Sequence, residues 1–195
     1  LIQGTALDVA VQSLPLPIRL ALPNIASTGT FQTDTTPSPF EATLTLDGLT
    51  ANPELWKIFD PAGHINRAPA RLDVDLAGLA AAPTANTPNP GKTQLTIRKA
   101  ELTAGGATLL ATGDLSVDSA SPVVAPEGQL HLTLDGGLAL LDSLVQAQII
   151  PAHQLMGVQL MIGMLTVQDG TADRLKSDIE FGPGQQVFIN GTQMR

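Results

Sequence analysis

Apolar and polar residues alternate along most of this 195-residue chain, and one phrase of that alternation returns four times. LTLDGLT at 44–50, VDLAGLA at 74–80, LLATGDL at 109–115 and LTLDGGL at 132–138 are each halted by small, turn-forming residues. A period of two sends apolar side chains to one face and polar ones to the other, so each copy predicts a strand with one wet face. Between 7 and 22 the apolar positions fall at 7, 9 and 11 and then at 14, 16, 18, 20 and 22. The phase change near Ser13 predicts a bulge or bend. Pro15, Pro17 and Pro23 take the opposite parity to the later run, which suits a sheet edge, since proline cannot donate to a ladder.

Further strands are predicted over 28–33, 41–46, 71–76 and 129–134. Segments 94–104 and 107–117 flank Gly105-Gly106, the dipeptide a two-residue hairpin turn favours because both central residues can need positive φ. Segments 174–181 and 186–190 form a last hairpin about Gly182-Pro183-Gly184. Proline-containing stretches at 35–39, 80–91 and 119–128 lack periodic apolar positions and read as loops.

Three segments break the strand period. Asn52 as N-cap, Pro53 in the first turn and Pro61 beyond the end predict a short helix over 53–59. Leu55, Ile58 and Phe59 share a face there. With Trp56 they read either as a plug over one end of the sheet or as a ligand-contacting aromatic surface built on Trp56 and Phe59. Leu138, Leu141, Leu144, Val145 and Ile149 lie at helical spacing up to Pro151, and 152–165 resumes with apolar residues on most sides. An all-round apolar helix is expected to be buried. Its other reading is a lipid or partner surface through Leu155, Met156, Leu160, Met161 and Met164, because three of the four methionines lie there and methionine suits adaptable contacts. The pattern as a whole predicts an α+β fold, mainly β. It is a single domain over 1–195 with a large curved antiparallel sheet of about eight to ten strands, and a short helix and a helical hairpin from the C-terminal half pack on that sheet.

Composition removes several functions. With six aromatic residues and a net charge of -8, the chain lacks both stacking platforms and a basic patch, so no nucleic acid partner is expected. No cysteine is present, which excludes disulfides, thiol catalysis and thiolate metal sites. No apolar run reaches the roughly 18 residues of a membrane-spanning helix, so no transmembrane segment is expected. Leu1 is not a translation start, so an upstream segment is expected to have been removed or not included, with or without a membrane anchor.

The chemistry-bearing residues are sparse. Asp73 and Asp75, two apart on a strand, point the same way and could face a hard cation, but no third ligand accompanies them and they read first as a solvated face. His64, His131 and His153 have no metal-ligand spacing. Glycine-rich phosphate loops and nucleophile elbows are absent. The chain is therefore read as no enzyme, without catalytic residues, metal or cofactor.

Three stretches carry a family resemblance: LWKIFDPAGHINRAPARLDVDLAG at 55–78, LDGGLALLDSLVQAQIIPAHQLMGVQLMIGML at 134–165, and FINGTQMR at 188–195. In this order they resemble the alphaproteobacterial envelope family known as domain of unknown function 2125, with Ile65-Asn66-Arg67 departing from the Leu-Pro-Arg expected after the Asp-Pro loop. The resemblance implies a periplasmic protein seen as its C-terminal portion. It supplies no functional residues. The family is in turn distantly similar to AsmA-like envelope proteins, whose long sheets carry lipid in an apolar groove. The expected function is thus a non-catalytic envelope protein offering an apolar surface or groove to lipid or another hydrophobic ligand. The alternative is a scaffold or accessory subunit docking on a membrane protein complex.

Overall fold

The computed structural model describes residues 2–11, 18–31, 36–81, 91–121, 124–171 and 173–194. Alternation produces one antiparallel meander: β1 (Ile2–Val11), β2 (Ile18–Thr30), β3 (Ser38–Ala51), β4 (Ala70–Ala80), β5 (Lys92–Ala104), β6 (Ala107–Asp118) and β7 (Pro126–Asp135) lie side by side in sequence order. The helices α1 (Pro53–Phe59), α2 (Gly137–Gln146) and α3 (Leu155–Leu165) interrupt it, α3 entered through a 3₁₀ turn at Ala152–Gln154. The sheet resumes with β8 (Val167–Gln168), β9 (Arg174–Gly182), β10 (Gln186–Ile189) and β11 (Thr192–Gln193). β9 pairs with β7 on one side, and β8 and β10 share its other side end to end. The result is the mainly β fold with an open antiparallel sheet that the alternation predicts.

The register sorts the side chains. Leu44 and Leu46 stand opposite Val74 and Leu72, which stand opposite Ala100 and Leu102; the row continues through Leu109 to Leu134 and Leu175. Every one of these lies on the same face. The other face is a ladder of charges and hydroxyls: Thr45 and Arg71 both donate to Asp73, at 2.9 and 2.8 Å, and Arg98 reaches Glu41 at 2.6 Å and Asp75 at 3.5 Å. Arg98 is the extra residue where β5 slips register against both neighbours, and such a bulge re-aims a side chain. Asp73 is thus paired with Arg71 on its own strand and with Lys99 across from it, and Asp75 with Arg98 across from it, the solvated-face reading of the two.

Three local expectations shift. The bulge or bend expected near Ser13 lies outside the described residues, as do Pro15 and Pro17; a phase change not expected from the sequence lies where Pro23 of β2 meets Gly48 of β3. Gly48 has φ +84°, and a Cβ there would stand 2.6 Å from the Pro23 ring, so glycine answers both the backbone and the space. Because Leu49 pairs with Ala70 beyond this kink, Leu20 and Leu49 rejoin the apolar side. The strand expected at 28–33 is the end of β2, and that at 41–46 runs over the longer β3. Gly105 and Gly106 form the predicted tight turn, with φ +62° and +86°.

Candidate functional site: the uncovered apolar face

A sheet with one apolar face needs a second layer over it, and the helices supply only part of one. α2 does the most. Its Leu141 is buried, 6% exposed, and its Leu140 packs over the Gly105 turn. Its N-terminus is held from 35 residues away, where the Asp173 carboxylate accepts the backbone N–H of Leu138 at 2.7 Å and of Ala139 at 3.2 Å. A carboxylate over the open N–H groups of a helix start satisfies them and complements the helix dipole. Asp173→Ala is expected to cost about 1 kcal/mol and about 3 °C of melting temperature, seen as earlier loss of helical signal in a thermal melt.

At one end of the sheet the 60–69 loop stands beside α2. Asp60, with a fully buried side chain, accepts the N–H of His64 and of Ile65, both at 2.9 Å, and faces the Arg67 guanidinium at 3.5 Å. Arg67 also donates to the Asp60 carbonyl at 2.6 Å and lies over the Trp56 ring at 5.3 Å. Burial by itself would push the Asp60 carboxyl up, but the Ile65 and His64 N–H groups and Arg67 outweigh it and hold the group below the ordinary aspartate value. This knot presses Ile65 against the sheet end. Trp56, Ile65, Leu140 and Leu144 then line a cavity of about 370 Å³ with Leu20 and Leu49.

A second cavity of about 250 Å³ lies between the sheet face, through Leu109, Leu132, Leu134 and Ile179, and Leu165 at the end of α3. Asn190 closes this corner: its amide donates to the Leu165 carbonyl at 3.0 Å and accepts the Asp178 N–H at 2.9 Å. Around the two cavities the apolar face is open. Leu102 and Leu109, central in their row, are 44% and 38% exposed.

The residues expected to form a ligand or partner surface are not gathered in one place. Trp56 lines the larger cavity, whereas Ile58 and Phe59 of the same helix face outward, so α1 plugs the sheet end through Leu55 and Trp56 rather than through Leu55, Ile58 and Phe59. In α3 only Leu155, Val158, Ile162 and Leu165 are half-buried; Met156, Leu160, Met161 and Met164 point to solvent, Met156 at 81%. The expectation that this apolar helix is buried fails, because among the described residues nothing covers its outward side. His131 pairs with Asp178 at 2.7 Å on the charged face, and neither apolar cavity is lined by a histidine. Among the described residues no cluster of three acidic or histidine side chains could hold a metal, and no helix is long and apolar enough to cross a membrane.

Fold and site together define an open, single-layered β-sheet protein with two apolar cavities on one face. The chain belongs to domain of unknown function 2125, described as uncharacterised proteins conserved in bacteria, whose family model matches residues 2–190. No curated protein and no solved structure matches it.

Proposed function

We propose that this protein is a non-catalytic component of the periplasmic envelope whose apolar sheet face takes up the acyl chain of a lipid or a similar hydrophobic ligand. The observation that carries this reading is the exposure of Leu102 and Leu109 in the middle of an otherwise continuous apolar row, beside two cavities lined mainly by apolar side chains, the smaller of which Leu109 itself lines. Exposed apolar area of this kind is costly in water and is characteristic of a binding surface. The periplasmic placement is what the sequence resemblance to the envelope family implies, and the lipid class is taken by fold-level analogy with AsmA-like proteins.

A fluorescent long-chain fatty acid tests it. The protein is expected to bind the probe saturably with a rise in emission, and Leu102→Asp and Leu109→Asp are each expected to weaken binding about tenfold or more, since each sets a carboxylate where the chain would lie. Both side chains are partly exposed, so the sheet should persist, as circular dichroism would verify. Absence of saturable binding, or equal binding by the variants, rules the reading out.

A further inference from the structure

The stretch 143–168 holds no Asp, Glu, Lys or Arg, although ten basic and eighteen acidic residues occupy the rest of the chain. Its exposed large side chains are mainly apolar, Ile149, Met156, Leu160, Met161, Met164 and Val167, with the uncharged amides of Gln154 and Gln159 beside them. A charge-free, apolar projection on a chain of net charge -8 complements neither an acidic nor a basic protein surface, but it does complement uncharged hydrocarbon.

The backbone at both ends of α3 fits the same surroundings. Hydrocarbon penalises every unpaired N–H and C=O. The 3₁₀ turn leads into the helix with Gln154 N–H bonded to the Pro151 carbonyl and Leu155 N–H to the Ala152 carbonyl. At the far end the Ile162 carbonyl accepts both the N–H and the hydroxyl of Thr166, at 2.9 and 2.8 Å, and the Leu165 carbonyl accepts the Asn190 amide. Eleven residues make a helix of about 16 Å, half the thickness of a bilayer core, so it can lie in one leaflet but not span it.

We propose that α3 is a membrane-docking helix that seats its Met156, Leu160 and Met164 side in the acyl region of one leaflet. Insertion is hydrophobic rather than electrostatic, because the stretch offers no cation to anionic headgroups. The smaller cavity, under Leu165, thereby comes to lie beside the leaflet. Docking does not require an occupied sheet face, so it goes beyond the acyl-chain reading and can fail or hold separately.

The absence of native cysteine permits a clean test. Leu160→Cys, labelled with an environment-sensitive fluorophore, is mixed with vesicles of phosphatidylcholine alone and with vesicles that also contain phosphatidylglycerol, at low and high salt. Emission is expected to rise and shift blue with phosphatidylcholine alone, unchanged by salt, and to be quenched by spin labels on the acyl chains. Leu160→Asp with Met164→Asp is expected to lower vesicle partition about tenfold or more while leaving fatty-acid uptake unchanged. The proposal is overturned by no response to phosphatidylcholine, by binding that needs phosphatidylglycerol and is lost in salt, or by an unquenched label. Burial of the label by self-association or by a stoichiometric protein partner, in place of vesicles, overturns it equally. Vesicle binding without fatty-acid uptake would reject the acyl-chain reading and leave docking intact.

Discussion

Asp60→Ala is expected to lower the melting temperature by about 5–10 °C, although the residue touches neither exposed leucine of the sheet face. Alanine would leave the buried Ile65 N–H and the part-buried His64 N–H without their acceptor and the Arg67 guanidinium without its carboxylate. Unmade hydrogen bonds cost most where the abandoned groups are buried. Ile65 would then no longer be pressed to the sheet end, and the larger cavity would open on that side. Asp60→Asn is expected to lose less, because its single carbonyl oxygen still serves one of the two N–H groups. Acid titration adds an independent signature. A carboxyl held below its ordinary value of 3.8 contributes stability that is complete above that value and lost as pH falls through the lower, folded value. The wild-type melting temperature should therefore fall on acidification below 3.8, and more shallowly in Asp60→Asn. The slope that remains has a source in Asp73, lowered chiefly by the Thr45 hydroxyl and further by Arg71 and Lys99. Identical acid slopes for wild type and Asp60→Asn would show that Asp60 does not carry this linkage.

The sheet was legible because its rule is local. Each strand needs only alternate apolar residues, and Gly105-Gly106 states its own turn, so 94–104 and 107–117 are placed almost residue for residue. The kink at Pro23 and Gly48 was visible in principle as the change of apolar parity from Leu46 to Leu49, but a shift by one residue is subtle beside the longer run of 14–22. The site was less legible, for two physical reasons. Asp173 and Asn190 hold α2 and α3 across 35 and 25 residues, and no spacing rule connects an acid or an amide to a helix end so far away. Hydropathy also measures a side chain and not its surroundings: Leu141 and Leu160 look alike in sequence, yet one is buried and the other largely exposed. A rule that assigns apolar helices to the core assumes a second layer, and this fold supplies only a partial one.

That partial layer depends on Leu141, and Leu141→Ala is expected to cost about 2–3 kcal/mol, or about 5–10 °C of melting temperature. The figure lies toward the low end for a buried leucine because the neighbouring cavities let side chains relax into the space. Without the anchor, the α2 amides should exchange with deuterium much faster while those of β5 and β6 keep their protection, since the strand ladder does not run through the helix. The effect on the apolar face should be larger than the loss of one side chain. Leu140 and Leu144 of α2 line the larger cavity, so its release opens that cavity into a broader, wetter surface. Fatty-acid affinity should then fall even though Leu102 and Leu109 are untouched. Combining Leu141→Ala with Asp173→Ala should cost less than the two alone, because a helix already released gains nothing from its cap. Strict additivity would mean that the buried leucine and the distant carboxylate stabilise α2 independently.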